Sequence, residues 1–112
     1  MPYSLSQGLP ILDDGTGVGA KSANQEWFSA DIYDTIPANN RRRIRIHIAV
    51  NTVSMVEYTM DSGVSWIALN NKQPLNSNTG YEFEMCLDGD DLFNIRATQA
   101  LTVLIARVDI VI

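Results

Sequence analysis

The strongest constraint on this chain's fold is the run Arg43-Ile44-Arg45-Ile46-His47-Ile48-Ala49-Val50. Ile44, Ile46, Ile48 and Val50 fall on one side of an extended backbone, and Arg43, Arg45 and His47 fall on the other. Successive side chains of a strand point to opposite faces, so this period of two specifies a strand with one buried and one wet face. Tyr81-Glu82-Phe83-Glu84-Met85-Cys86-Leu87-Asp88 repeats the pattern, with Tyr81, Phe83, Met85 and Leu87 inward. Further strands are expected near 27–33, 54–60, 65–69, 92–98 and 101–112. In the last, Leu104, Ala106, Val108, Ile110 and Ile112 form the more apolar side. The breaks between them carry turn residues: Ile36-Pro37-Ala38-Asn39-Asn40, Asp61-Ser62-Gly63, Asn76-Ser77-Asn78-Thr79-Gly80 and Asp88-Gly89-Asp90-Asp91. Strands at this spacing, with no amphipathic helix between them, imply an all-β fold. We expect an antiparallel β-sandwich or jelly-roll-like domain of about seven to eight strands.

Residues 1–25 read differently. Four of the seven glycines (Gly8, Gly15, Gly17, Gly19) lie there with Pro2 and Pro10, and neither period appears. That density favours turns and irregular backbone over a ladder. The expected organisation is an N-terminal arm over 1–25, ordered where something holds it down, followed by one domain over 26–112. A chain of 112 residues that is 46% hydrophobic suits one small core. Thirteen acidic against eight basic residues leave a net charge of −5. Phosphate would be repelled on average, which argues against nucleic acid as a partner. Met1-Pro2-Tyr3-Ser4-Leu5-Ser6-Gln7 lacks a basic n-region and no segment is apolar enough to span a bilayer, so no secretory signal and no membrane partner are expected. Cys86 is the single cysteine, which rules out an intrachain disulfide and fits a reducing compartment.

No catalytic site is expected. Acid–base and nucleophilic chemistry needs a positioned base, and the one histidine, His47, alternates with arginines on a strand face. Cys86 shares its strand face with Glu82, Glu84 and Asp88, whose negative charge works against a reactive thiolate. Two acidic clusters, Asp13-Asp14-Gly15-Thr16-Gly17 and Asp88-Gly89-Asp90-Asp91, invite comparison with calcium loops. Neither matches a complete loop, and aspartate beside glycine is ordinary turn chemistry. Gly15-Thr16-Gly17-Val18-Gly19 lacks the strand and the Lys-Ser/Thr of a phosphate loop. Neither a metal nor a cofactor is expected.

Two motifs stand out. Thr59-Met60-Asp61-Ser62-Gly63-Val64-Ser65-Trp66 resembles an Asp-box hairpin, Ser/Thr-x-Asp-x-Gly-x-Ser/Thr-Trp. Asp61 is expected to accept N–H bonds inside the turn, Gly63 to take a positive φ, and Trp66 to pack on the returning strand. Such hairpins recur in sialidases and other β-rich proteins as folding units away from the chemistry. The second is Arg41-Arg42-Arg43-Ile44-Arg45, which holds four of the chain's six arginines. It reads either as a solvated strand start or as a contact patch, since arginine pairs bidentately with carboxylates and is enriched at interfaces.

Over most of its length the chain resembles the small cement, staple or decoration proteins of tailed-bacteriophage heads, those of short-tailed phages most closely. The likeness lies in the Gly-rich start and in Tyr58-Thr59-Met60-Asp61-Ser62-Gly63-Val64-Ser65-Trp66-Ile67-Ala68-Leu69-Asn70. It continues in Gly89-Asp90-Asp91-Leu92-Phe93-Asn94-Ile95-Arg96 and the closing Ala106-Arg107-Val108-Asp109-Ile110-Val111-Ile112. The resemblance implies a virion protein that is assembled in the host cytoplasm and sits on the outer capsid surface. There it would clamp neighbouring copies of the major capsid protein, as a homodimer or a trimer. On that footing Leu5, Leu9, Ile11 and Leu12 of the arm, with Arg41, Arg42, Arg43 and Arg45, are the expected capsid contacts. Val108, Ile110, Val111 and Ile112 are the expected subunit contacts, because Ile110, Val111 and Ile112 cannot all face one core. The alternative function is a carbohydrate- or receptor-binding β module of a tail or head fibre, with Trp27, Tyr33, Tyr58 and Trp66 as aromatic platforms.

Overall fold

The structure is a computed structural model that describes residues 9–12, 18–28, 41–88 and 91–110. Among them there is no helix, and eight strands occur: β1 Leu9–Leu12, β2 Gly19–Lys21, β3 Arg41–Val50, β4 Val56–Thr59, β5 Ile67–Ala68, β6 Tyr81–Asp88, β7 Asn94–Ala97 and β8 Leu101–Ile110. They build two antiparallel sheets. The larger runs β1-β8-β3-β6, with β2 also on β8, and the smaller runs β5-β4-β7.

The period-two runs are the middle of the larger sheet. β3 pairs with β6 without interruption from Arg41↔Asp88 to Ile48↔Tyr81. On its other side β3 pairs with β8 from Ile44↔Ile110 to Val50↔Val103. Ile44, Ile46, Ile48 and Val50 are completely buried, as the alternation requires. They join Leu87, Leu101, Val103, Ala106 and Val108 from their own sheet and Val56, Ile95 and Ala97 from the smaller one. Trp27, Phe28, Leu75 and Phe93 fill the same cluster, so the two sheets share one core. Burying a side chain of the isoleucine class stabilises by roughly 1.5–3 kcal/mol, and this cluster supplies the main driving force.

Three expectations change. The first concerns the arm: β1 and β2 both lie within 1–25, one after the other along the outer edge of β8. What holds the arm down is this chain's own last strand. Pro10 pairs with Asp109, and the register shifts between Pro10 and Leu12. A residue without an N–H is accommodated on such an edge strand, which is why proline did not preclude a ladder here.

The second concerns the last strand. Its register slips between Ala49 and Val50, placing an extra residue in β8 between Val103 and Ile105. The inward set is therefore Leu101, Val103, Ala106 and Val108, while Leu104 (46%) and Ile105 (38%) are exposed. A bulge of one residue reverses the alternation on one side of it. The third concerns 27–33. Trp27 and Phe28 are buried bends and not strand, and residues 29–33 lie outside the described residues.

Trp27 and Phe28 are nonetheless fastened to β7. The Asn24 and Trp27 N–H groups donate to the Ala97 and Ile95 carbonyls at 2.8 Å each. Asn94, only 2% exposed, completes the attachment: its Oδ1 accepts from the Phe28 N–H at 3.1 Å and its Nδ2 donates to the Phe28 carbonyl at 3.1 Å.

Candidate interaction surface

The outer face of the larger sheet carries the charges. The β3–β6 register sets Arg41 opposite Asp88, Arg43 opposite Cys86, Arg45 opposite Glu84 and His47 opposite Glu82. Arg41 Nε bonds Asp88 Oδ1 at 2.9 Å, and Arg45 Nη2 reaches Glu84 Oε2 at 3.2 Å. Arg43–Glu84 and Arg45–Glu82 are looser, at 3.9 Å each. Hydrogen bonding from the Arg41 side chain holds the Asp88 carboxyl below its usual range, and the same bond raises Arg41. Beyond β3, Asp109 pairs with Arg45 in the ladder and bonds Arg107 at 2.8 Å.

The arginine run is therefore a column of a charge ladder whose partners are carboxylates of the same sheet. Arg41, Arg43 and Arg45 meet Asp88, Glu84 and Glu82. Arg42 is exposed, and its Nη1 donates to the Arg41 carbonyl at 3.0 Å. Pairs this open to solvent are worth little stability each. Their main effect is on register, since a shift of one residue would set the arginines against Leu87, Met85 and Phe83.

Cys86 is exposed on this face, as the alternation required. A cleft of about 320 Å³ is lined by Arg43, Glu84, Met85 and Cys86. At the 88–91 turn, Asp91 Oδ2 accepts from the Asp88 N–H at 2.8 Å, and the Asp91 N–H donates to the Asp88 carbonyl at 3.0 Å. Both aspartates thus do turn and ladder work. Asp90, Asp13 and Asp14 lie outside the described residues. Among the described residues no group of three or more His, Cys, Asp or Glu side chains is arranged to hold a metal ion.

The Asp-box hairpin closes the β4–β5 connection. Thr59 Oγ1 donates to Asp61 Oδ1 at 2.7 Å and accepts from the Asp61 and Gly63 N–H groups at 3.2 and 2.9 Å. Asp61 also accepts from the Ser65 N–H at 2.9 Å and from the Ser65 hydroxyl. These bonds, led by the Ser65 hydroxyl and then its N–H, pull the Asp61 carboxyl down to about 2. Gly63 takes φ +88°, and Trp66 Nε1 donates to its carbonyl at 3.1 Å. The Trp66 ring lies 4.2 Å from the Arg96 guanidinium carbon, and Arg96 also bonds Glu57 at 3.0 Å. Asp61 accepts N–H bonds inside the turn and Gly63 takes a positive φ, whereas Trp66 meets Arg96 of β7. The hairpin raises Val64 (85% exposed) and Ile67 (52%) into solvent.

Of the expected capsid contacts, Leu9, Ile11 and Leu12 lie in β1, and Leu5 lies outside the described residues. The expected subunit contacts are corrected in part. Val108 is fully buried in the chain's own core, so it is not available at the surface. β8 has β3 on one side, and on the other it pairs with β1 over Val108–Ile110 and with β2 over Leu101–Val103. The Ile110 backbone pairs with Ile44 and Leu9; Val111 and Ile112 lie outside the described residues.

Two surface features were missed at the sequence level. Leu104 and Ile105 are exposed apolar residues, as is Val18, which precedes the Gly19 that pairs with Val103. The signal was there: Val103-Leu104-Ile105 is an apolar triplet that period two cannot bury. The other is the outer edge of β6, which sequence could not reveal without strand order. Comparison with known protein families, curated proteins and solved structures finds no match.

Proposed function

We propose that this chain is a structural binding module with no catalytic role, built as a jelly-roll sandwich. More particularly, we propose that it is a bacteriophage-head staple that binds the outer shell surface and bridges neighbouring major capsid subunits. The strand order is the observation that carries this reading. Pairs β1–β8, β3–β6 and β4–β5 nest like one long hairpin, and β3–β8 with β4–β7 are the contacts made when such a hairpin is wrapped round a core. The 24–28 segment takes the second strand's place beside β7 through its bonds to Ile95 and Ala97. Jelly rolls of this kind are the common architecture of viral capsid and lectin domains.

Less supports the lectin-like alternative, whose aromatic platforms are engaged within the chain at three of the four positions. Trp27 is 1% exposed, Tyr58 stacks on Phe93 at 6.2 Å, and the Trp66 ring carries Arg96. Tyr33 lies outside the described residues. The staple reading suits the contact chemistry on the described surface: exposed apolar residues at Leu104, Ile105, Val64 and Ile67 and a ladder of paired charges. A binder that touches several subunits at once favours only their assembled state. Mixing purified protein with bare heads tests it. Saturable binding of a fixed copy number is expected, and free protein in the supernatant at every ratio would exclude it. The arm is best tested by removing residues 1–8, because deletion of 1–25 would also strip two strands from β8.

A further inference from the structure

β6 has the features of an edge built to receive a strand. Among the described residues it pairs with β3 alone, over eight uninterrupted positions. Both the N–H and the C=O of Asp88 are engaged by Asp91 and so point away from β3. Backbone direction alternates along a strand, so the N–H and C=O groups of Glu82, Glu84 and Cys86 point the same way, toward the open edge. Edges are normally blunted by brevity, bulges, proline, a covering loop or charged side chains, and of these, among the described residues, β6 carries only charge, all of it negative. β6 is eight residues long, in unbroken register, and has neither proline nor lysine.

The charges say what fits. Glu82, Glu84 and Asp88 stand on the outer face with their side chains 60%, 45% and 42% exposed. Arginines reach them from the β3 side. A second copy pairing edge to edge would set glutamate against glutamate, which is unfavourable. A strand with cations at alternate positions would continue the sequence of positive β3, negative β6 and positive newcomer. The cleft lined by Arg43, Glu84, Met85 and Cys86 lies between β3 and β6, with Glu84 as its carboxylate.

We infer that the open edge of β6 docks an extended segment of a shell subunit that carries lysine or arginine at alternate positions, by strand addition. That the segment belongs to a shell subunit rests on the proposed function; the chemistry of the edge does not. The probe is a short blocked peptide alternating lysine and valine, added to the isotope-labelled full chain. Amide hydrogen exchange at Glu82, Glu84 and Cys86 is expected to slow by about tenfold, while amides of the β3 ladder stay unchanged. A peptide with glutamate in place of lysine is expected to protect none of them. Glu84→Pro removes an edge N–H without touching the β3 ladder and should abolish protection; Glu84→Gln keeps the N–H and should retain most of it. If Glu84→Pro does not fold, Glu82→Lys with Glu84→Lys takes its place and should reverse the preference to the acidic peptide.

No protection by the lysine peptide, equal protection by the acidic one, or undiminished binding to folded Glu84→Pro overturns the inference. Heads are assayed separately. A chain that takes the peptide but ignores heads defeats the shell partner and keeps the edge chemistry, whereas one that binds heads with no protected edge amide defeats this inference alone.

Discussion

Asn94 gives the sharpest stability prediction, because one buried side chain fastens the Trp27–Phe28 segment to β7. Its Oδ1 accepts from the N–H groups of Phe28 and Ile95, at 3.1 and 2.9 Å, and its Nδ2 donates to the Phe28 carbonyl at 3.1 Å. Asn94→Ala strands the Phe28 N–H and C=O where water does not reach. Each orphaned buried group costs about 1–3 kcal/mol. The Trp27 and Asn24 bonds to β7 hold the segment near, so the sum should fall at roughly 2–4 kcal/mol. In a chain of this length one kcal/mol moves the midpoint by about 4 °C, so a thermal melt followed by circular dichroism should shift down by about 8–15 °C.

Asn94→Asp adds a signature. Its carboxylate can still accept from both N–H groups but cannot donate to the Phe28 carbonyl, and its charge is buried. Protonation restores a donor, so the deficit of Asn94→Asp should shrink between pH 7 and pH 4 while that of Asn94→Ala stays level. A drop under about 2 °C for Asn94→Ala, or the same pH dependence for both variants, would refute the claim that this side chain is the fastening.

Asp61 should titrate by NMR near 2, and Ser65→Ala should move it up toward its ordinary 3.8. Because folding depresses this group, its stabilising effect is complete above about pH 4 and is lost as the pH falls toward 2; in Ser65→Ala that acid-sensitive part should be smaller. Ile46→Ala should cost about 2–5 kcal/mol in denaturant unfolding, since Ile46 is fully buried at the centre of the core. Arg43→Ala, by contrast, should change stability by no more than about 0.5 kcal/mol, because its one ion pair is long and exposed. Cys86 should be labelled by a water-soluble maleimide in native buffer, without denaturant; protection there would contradict its placement on the outer face.

How much of this was legible depended on whether the information was local. The β3 and β6 alternation set the faces and the burial of each strand, since a strand's two faces are written in consecutive residues. The Asp-box is equally local: every bond that lowers Asp61 lies within the segment from Thr59 to Ser65. The β8 bulge was half legible, as an apolar triplet too long for one face, but its site depends on pairing with Ala49 and Val50. β1 and β2 were not legible. Their Gly- and Pro-containing sequences have little strand preference and are held by the edge of a strand some eighty to a hundred positions away. The partners of the arginine run, Glu82, Glu84 and Asp88, are likewise remote in sequence and adjacent in space. Strand order, and with it the open β6 edge, is long-range information throughout.

As proposed, the chain staples a phage shell from outside. Cryo-electron microscopy of bare heads, before and after addition of the purified protein, tests it most directly. New density is expected on the outer surface in a fixed number of copies, each spanning at least two major capsid subunits, with heads that withstand higher temperature. Unchanged heads with all the protein free, or density confined within one capsid subunit, would contradict it.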